Sequence, residues 1–284
     1  MDERFIVIAD SGSTKTDWAV VSNIQSDRVL RVSTQGINPI HQGDEDLLRV
    51  LRDELCSQIS SMISNINAVY FYGSGVTPQQ EGRVVELLGS VFPAATDIEA
   101  HSDMLGAAHA LCGHSEGLAC ILGTGANSCL YDGEKIVRNT PALGFILGDE
   151  GSGAVLGRLF LNAIYKFKLY AGAREEFEQH TGLSMADVIN HVYRQPMANR
   201  WLASLSPYIH QHIDKPEVEA LVVDNFRSFI RSNIVPYGRA NLPLNAVGSI
   251  AWHYREQFAL AASEEGYVVG KILRSPLDAL VKME

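Results

Sequence analysis

The same local pattern occurs twice in this chain: a short apolar strand, a turn rich in glycine and in hydroxyl or amide side chains, and a second strand. The first copy is IADSGSTKT at residues 8–16, and the second is ILGTGANS at residues 121–128. Such a turn can direct several N–H and O–H donors toward one anion. Repetition of one supersecondary unit predicts two related domains, and the alternative is a chance likeness of two ordinary turns.

Composition allows this arrangement and argues against several classes of protein. The 284 residues are 46% hydrophobic and 20% charged, which is typical of a globular chain long enough for two domains. The formal net charge of -10 argues against a nucleic acid or an anionic membrane as partner. No apolar run reaches the ~18 residues of a membrane span. The apolar run at residues 5–9 is too short for the core of a signal peptide, so we expect no targeting segment there. We expect a soluble, cytoplasmic protein.

The domain boundary is expected near residues 112–117, where a polar, glycine-bearing stretch precedes a restart of the strand–turn–strand pattern. We therefore expect an N-terminal domain over 1–112 and a C-terminal domain over 113–284, the latter with a helical insertion and a last helix that could pack back on the first domain. The patterns predict strands over 5–9, 17–21, 29–33, 69–72, 97–100, 118–122 and 128–131, with a last strand at 246–247, and helices over 44–63 (capped by Asp44), 79–92, 102–111 and much of 153–260.

The first glycine turn is not a Walker A loop, although it contains Thr14-Lys15-Thr16. The Gly-Lys step is missing, and a strand rather than a helix follows the turn. The turn around Gly12 can nonetheless bind phosphate through its N–H and O–H groups. Asp10, at the exit of the preceding strand, would face that anion through a hydrated Mg²⁺. Ordinary Asp-Ser-Gly turn chemistry is the alternative.

A second carboxylate occurs where a short strand meets a helix, in His101-Ser102-Asp103. An aspartate at this place favours an N-terminal helix cap. The same geometry suits a catalytic base, because a carboxylate at the positive end of a helix stays ionised. It could then accept the proton of a hydroxyl group that attacks phosphorus.

Three further segments could contact a ligand. In GFILGDEGSG at residues 144–153, glycines surround Asp149 and permit close backbone approach to a polar ligand. Asp149 could bind sugar hydroxyls or metal-bound water. Asn38 offers an amide in a loop, and the Gly248-Ser249 turn could let a nucleoside approach the backbone. Each of these segments could equally be a plain turn or a helix start.

Taken in order, these segments resemble the sugar kinase/actin/heat-shock-70 ATPase superfamily, and within it the BadF/BadG/BcrA/BcrD-type branch that includes N-acetylglucosamine kinase. The most specific pieces are GTGAN at residues 123–127 and GDEGS at 148–152, and the resemblance covers most of the chain. It implies an α/β fold with two ribonuclease-H-like (actin-like ATPase) domains. Each would be a mixed five-stranded sheet with helices, and the nucleotide would occupy the cleft between them.

The resemblance also implies an ATP- and Mg²⁺-dependent phosphotransferase that acts on the 6-hydroxyl of an amino sugar, with N-acetylglucosamine as the first candidate. Asp103 would be the general base and Asp10 the Mg²⁺-side carboxylate. The partners would then be ATP and a small sugar, and a homodimer is compatible with the sequence. Phosphate contacts would be Gly12, Ser13, Thr14, Lys15, Thr124 and Gly125; sugar contacts Asn38, Asp103, Asn127, Gly144 and Asp149; adenosine contacts Gly248 and Ser249.

Several alternatives stay open at this point. Leu143 stands where eukaryotic members of the family have tryptophan, so a kinase for glucosamine or N-acetylmuramate is an alternative. An ATPase activator of an acyl-CoA dehydratase or reductase from the same branch is another, and an actin-type switch is a third. The cysteines do not match the activator's cluster motifs or the zinc signature of repressor/ORF/kinase sugar kinases. These cysteines are Cys56, Cys112, Cys120 and Cys129, without a CxxC pair.

Overall fold

The computed structural model of the protein describes residues 3–12, 14–24 and 29–283. These residues form two compact units. The first unit is Met1–Gly113 together with Ser275–Glu284, and the second is His114–Arg274. The chain therefore leaves the first unit after Gly113 and returns to it at Ser275.

The first unit contains a mixed five-stranded sheet. Its strands are β1 (Phe5–Ser11), β2 (Lys15–Ser22), β3 (Val29–Gln35), β4 (Ile66–Gly73) and β5 (Asp97–Ser102). They lie in the order β3-β2-β1-β4-β5; β2 is antiparallel to both β1 and β3, and β4 is parallel to both β1 and β5. The central strand β1 is almost entirely buried, which explains why its sequence is a continuous apolar run.

The second unit repeats this topology. Its strands are β6 (Gly117–Leu122), β7 (Ala126–Tyr131), β8 (Ile136–Thr140), β9 (Leu244–Val247) and β10 (Val269–Leu273). Their order is β10-β9-β6-β7-β8. Strand β7 is antiparallel to both β6 and β8, and β9 is parallel to both β6 and β10. In both sheets a glycine turn joins the first two strands. The expected α/β fold with two mixed five-stranded sheets is confirmed.

Two strands of the second sheet escape the sequence patterns. β8 has no fully buried residue, and its polar sequence lacks the apolar alternation of a half-buried strand. β10 follows the segment at 246–247 that was expected to be the last strand, so that expectation is wrong. A glycine and an exposed lysine interrupt the apolar pattern of β10, and Gly270 is needed because a Cβ there would lie 2.3 Å from Asn245 Oδ1.

The helical part of the first unit follows the apolar periodicity with one irregularity. The helix expected over 44–63 forms only as far as Ile59, and its middle part, Val50–Cys56, is a π-helix. Gly43, not Asp44, occupies the N-cap position, so the expected cap is wrong; the Asp44 carboxylate is instead paired with Arg83. The α-helices of this unit are α1 (Asp44–Arg49), α2 (Ser57–Ile59), α3 (Glu81–Val91), α4 (Asp103–Cys112) and α14 (Leu277–Leu280), with a 3-10 turn at Ile63–Asn65.

The second unit is mostly helical between its third and fourth strands, as predicted. Prolines lie in the first turn of two of these helices, where a missing N–H is tolerated. Its helices are α5 (Gly144–Leu147), α6 (Gly153–Tyr165), α7 (Ala173–Thr181), α8 (Met185–Tyr193), α9 (Ala198–Ala203), α10 (Ser206–Gln211), α11 (Pro216–Phe229), α12 (Ser249–His253) and α13 (Arg255–Glu264), with a π-helix at Ile230–Ile234 and a 3-10 turn at Val235–Tyr237.

Each unit has its own hydrophobic core. Trp18 and Phe71 meet in the first core with ring centroids 5.8 Å apart, and the buried Trp18 Nε1 donates a hydrogen bond to Thr34 Oγ1 at 3.0 Å. Phe226 and Phe258 meet edge-on in the second core at 5.4 Å. Among the described residues, no helix combines the length and apolar character needed to cross a membrane.

Candidate active site

Two aspartates lie at the carboxyl edge of the parallel part of the first sheet. In the register of β1, β4 and β5, Ser11 lies beside Gly73, and Gly73 lies beside Ser102. Asp10 immediately precedes this row and Asp103 immediately follows it. The fold thus brings together two carboxylates that are far apart in sequence, at the edge where α/β sheets commonly bind ligands.

Asp103 is not the cap of α4. Ser102 occupies the N-cap position, and its Oγ accepts a hydrogen bond from Leu105 N at 3.2 Å. Asp103 is the first residue of the helix, so the capping interpretation of this carboxylate is wrong. Burial raises the pKa of Asp103 from 3.8 to about 6, although the backbone N–H groups of Met104 and of Asp103 itself act in the opposite direction. The group is therefore poised to change protonation near neutral pH.

The pKa of Asp10 is raised still more than that of Asp103. Burial, reinforced by the negative charges of Asp103 and Asp17, raises the pKa of Asp10 from 3.8 to about 7. Ser275 and Lys15 act in the opposite direction, and the Ser275 Oγ donates a hydrogen bond to Asp10 Oδ2 at 3.3 Å. Both aspartates keep some accessible surface, so dense surroundings rather than complete enclosure cause these shifts.

The turn between β1 and β2 is closed by a hydrogen bond from Gly12 N to Lys15 O at 3.0 Å. Gly12, Thr14 and Lys15 are exposed, and Lys15 Nζ lies 2.7 Å from Asp17 Oδ2. Ser13, which was expected to contact phosphate, lies outside the described residues. The exposed members of this turn are able to meet an anion, and Lys15 would have to exchange its present partner for it.

Asn38 lies in a loop that is tied to this turn. Ser11 Oγ accepts a hydrogen bond from Ile37 N at 3.1 Å, and Gly36 N donates to Thr14 O at 3.1 Å. The Asn38 amide packs against Gly75, where a Cβ would lie 2.3 Å from Asn38 Oδ1. Asp10, Asp103, the first turn and Asn38 therefore all belong to the first unit and are linked by its sheet and loops.

In the second unit, the corresponding turn between β6 and β7 rests on the N-terminus of α6. Gly123 O accepts a hydrogen bond from Gly153 N at 2.8 Å, and Thr124 O accepts one from Ala154 N at 3.2 Å. A Cβ on Gly125 would lie 3.1 Å from Asp149 Oδ2. The GTGAN and GDEGS motifs are thus in direct contact, as one structural piece.

Asp149 sits in this piece with an unusual backbone. Its φ is 53°, and its N–H donates to Ala142 O at 3.0 Å. The short helix α5, which begins at Gly144 (φ 73°), ends just before it. Burial raises the pKa of Asp149, although a hydrogen bond from the Ala126 N–H lowers it. A strained non-glycine residue with a perturbed carboxyl group marks this loop as a candidate ligand contact.

Two other predicted contacts have structural partners of their own. Asn127 Oδ1 accepts hydrogen bonds from Ser128 N and Asn139 Nδ2, both at 2.9 Å. Gly248 has φ 123°, and a Cβ there would lie 2.3 Å from Leu122 O, so close packing against β6 alone requires glycine. Ser249 begins α12.

Sequence patterns missed three residues that the structure places at these sites: Ser275, Gln42 and Arg83. Ser275 is 265 positions from Asp10, so no local signal could reveal their contact. Gln42 and Arg83 form hydrogen bonds that hold the loop of Asn38 in place. None of the four cysteines forms a disulfide bond, and no group of three or more His, Cys, Asp or Glu side chains suited to a metal ion occurs among the described residues.

A scan against protein-family models and a search of curated proteins gave no match. Solved structures do match. A "Putative N-acetylglucosamine Kinase" from Porphyromonas gingivalis is 48% identical, with 98% of each chain covered and a TM-score of 0.94. One of the same description from Chromobacterium violaceum is 17% identical, covering 99% of this chain and 98% of that chain, with a TM-score of 0.76.

A ROK family glucokinase from Streptomyces griseus, solved in complex with glucose and AMPPNP, is 14% identical, covering 98% of this chain and 97% of that chain, with a TM-score of 0.53. At such low identity, this structure and the one from Chromobacterium violaceum support the fold alone. The Porphyromonas gingivalis protein supports more, because almost half of its residues are the same along nearly the whole of both chains. This chain therefore belongs to the N-acetylglucosamine kinase-like family.

Proposed function

We propose that the protein transfers the γ-phosphoryl group of ATP to the 6-hydroxyl of an amino sugar, with N-acetylglucosamine as the first candidate. The observation that carries this proposal is the pair Asp10 and Asp103 at one sheet edge, both with raised pKa values. Phosphoryl transfer to a hydroxyl needs one group to accept its proton and one to face the metal and phosphates. The family to which the chain belongs agrees with this chemistry.

Asp103 is the proposed general base. Its position at the start of α4 places it at the positive end of the helix dipole, and Ser102 already supplies the cap. Because Asp103 is not the capping residue, its carboxylate can accept a proton from a sugar hydroxyl. Because the pKa of Asp103 is about 6, the group is mostly ionised at pH 7 and yet basic enough to take that proton.

Asp10 is the proposed Mg²⁺-side carboxylate, and its surroundings fit that ion. Mg²⁺ prefers oxygen ligands and is usually bound by one or two carboxylates together with substrate phosphates. Asp10 offers a carboxylate beside the Ser275 hydroxyl, at a place where its negative charge is poorly compensated by protein groups. When bound, the ion would neutralise charge on the phosphates.

The remaining roles are assigned by position. We infer that the first turn (Gly12, Ser13, Thr14 and Lys15) and the second (Thr124 and Gly125) contact phosphate, that Gly248 and Ser249 contact adenosine, and that Asn38, Asn127, Gly144 and Asp149 contact the sugar. The contact between Asp149 and Gly125 supports a shared role for the two motifs of the second unit.

The test is a screen of sugars by coupled ADP release at saturating ATP and Mg²⁺. We expect turnover with N-acetylglucosamine, and we include glucosamine, N-acetylmuramate and glucose as competitors for the assignment. Analysis of the product by NMR would place the phosphate on the 6-oxygen. Absence of ADP release with every amino sugar would contradict the proposal, whereas turnover with glucosamine alone would correct only the substrate.

A further inference from the structure

We propose that Arg83 is a positioning residue for sugar binding, because it fixes the loop of residues 36–42 that presents Asn38. This inference rests on the proposed function, and in particular on the role of Asn38. Arg83 lies on α3, outside every motif discussed above, and its side chain is about one-third exposed. What distinguishes it is the number and the direction of its hydrogen bonds.

The guanidinium group of Arg83 donates to two carbonyl groups of the loop, one at its middle and one at its end. Its Nη1 donates to Pro39 O at 2.6 Å, and its Nη2 donates to Gln42 O at 3.0 Å. Its Nε donates to Asp44 Oδ1 at 2.6 Å, which anchors the guanidinium from the start of α1. Gln80 Oε1 accepts a fourth bond from Nη1 at 3.1 Å. A planar fork of fixed donors suits such divergent acceptors, and a lysine could satisfy one or two of them at most.

Gln42 passes this restraint to Asn38. Its Oε1 accepts a hydrogen bond from Asn38 N at 2.6 Å, and its Nε2 donates to Gly36 O at 3.2 Å, so one side chain bridges the loop. The backbone N–H groups of His41 and Gln42 both donate to Asn38 O at 3.1 Å. Arg83 donates hydrogen bonds to the carbonyl groups of Pro39 and Gln42. The backbone of Asn38 is therefore held by Gln42, and Arg83 holds both Gln42 and the residue that follows Asn38.

The side chain of Asn38 is fixed in one orientation as well. Asn38 Oδ1 accepts a hydrogen bond from Ile40 N at 3.0 Å, which assigns the amide oxygen to the loop interior. Within the described part of the chain, Asn38 Nδ2 donates no hydrogen bond, and Gly75 leaves room for the amide where any larger residue would collide with it. The loop therefore presents an N–H donor, which suits a hydroxyl or carbonyl oxygen of a sugar.

Loss of Arg83 should thus weaken sugar binding without a direct contact between Arg83 and sugar. A polar group displaced by even a fraction of an ångström loses much of its hydrogen bond to substrate. For Arg83→Ala we expect a Kd and KM for N-acetylglucosamine about 10-fold higher, equivalent to about 1.4 kcal/mol. The KM for ATP should change less than about twofold, because the proposed nucleotide contacts lie on other segments.

The experiment measures N-acetylglucosamine binding by calorimetry and turnover by ADP release for wild type, Arg83→Ala, Asn38→Ala and the double variant. If Arg83 acts through Asn38, its loss should change the sugar Kd much less when Asn38 is already alanine. The matched control is Arg49→Ala, an exposed arginine of α1 paired with Asp46 at 3.4 Å, which should leave both KM values unchanged.

Hydrogen exchange separates positioning from general instability. Arg83→Ala should speed exchange of the amides of residues 40–42 and leave the strands of the sheet unaffected, whereas a merely structural role would speed exchange throughout the unit. If Arg83→Ala fails to fold, Asp44→Ala removes one anchor of the guanidinium at an exposed site and should raise the sugar KM about two- to threefold.

An unchanged sugar Kd in Arg83→Ala, or effects of Arg83→Ala and Asn38→Ala that simply add, would overturn the positioning role and leave the kinase proposal intact. A wild-type protein that neither binds nor phosphorylates any amino sugar would overturn the proposed function, and the inference would fall with it. A raised sugar Kd that disappears on the Asn38→Ala background supports the inference.

Discussion

Asp10 and Asp103 are held in surroundings that disfavour their charged forms. Their pKa values of about 7 and about 6 mean that folding moves two carboxyl groups from water into a place where ionisation costs free energy. A protein selected only for stability would not keep two such groups side by side. At the scale of single residues, therefore, the two carboxyl groups lower the stability of the fold while serving the proposed chemistry. Both effects can be measured by substituting Asp103.

Asp103→Asn should lower kcat for sugar phosphorylation by about 10² to 10⁴, because the amide cannot accept the hydroxyl proton. Binding of ATP should be largely retained and can be measured by calorimetry. The matched control is Asp97→Asn at the opposite end of β5, where the carboxylate accepts a hydrogen bond from Tyr70 Oη at 2.7 Å. Turnover of Asp103→Asn at the wild-type rate would remove this residue from the base role.

The same substitution should stabilise the protein at pH 8. A carboxyl group whose pKa is raised by folding contributes stability below its unfolded pKa of 3.8, and that contribution is lost as the pH rises through about 6. Without Mg²⁺ or nucleotide, Asp103→Asn should therefore raise the free energy of unfolding by about 1–3 kcal/mol at pH 8 and by much less at pH 4. Urea unfolding at both pH values tests this, and equal effects at the two would contradict it.

At the scale of elements, the sequence was informative wherever one local rule decides the structure. The two glycine turns and the buried central strands follow from composition and apolar periodicity alone. Strands β8 and β10 could not be predicted in this way, because exposed edge strands carry no apolar alternation. Arg83 and Ser275 could not be found either, since their partners are chosen by tertiary packing between segments distant in sequence.

Gly248→Ala should destabilise the second unit by about 2–4 kcal/mol, since it combines a φ of 123° with a collision against Leu122 O. Gly82→Ala is the control, because a Cβ at this position in α3 meets nothing within 4 Å and alanine favours a helix. Denaturant midpoints measure both effects. A Gly248→Ala protein as stable as the control would show that the turn can relax.

At the scale of the whole molecule, the first unit is discontinuous in sequence. After β10 the chain re-enters it at Ser275, and α14 then packs against α4, β1 and β2. Leu277 and Leu280 are 4% and 2% exposed, so this return segment is part of the unit and not an appendage. Its first residue also contacts the carboxylate of Asp10.

Leu280→Ala should therefore lower the free energy of unfolding by about 2–4 kcal/mol, as expected for a large-to-small change at a buried site. Met283→Ala, three residues further on and 39% exposed, should cost less than about 1 kcal/mol. Urea unfolding followed by circular dichroism compares the two variants. Equal losses would indicate that the return segment contributes little packing to the first unit.

The return of the chain at Ser275 also sets an order of assembly during synthesis. A ribosome releases residues 1–113 long before Ser275, so the first unit lacks α14 during most of synthesis. The second unit is continuous in sequence and can complete its own sheet before α14 has been made. Any product that stops before Ser275 would carry Asp10 without its hydroxyl partner and leave exposed the apolar surface that Leu277 and Leu280 cover. Only a polypeptide translated past this point can assemble the proposed metal-side carboxylate in its final surroundings.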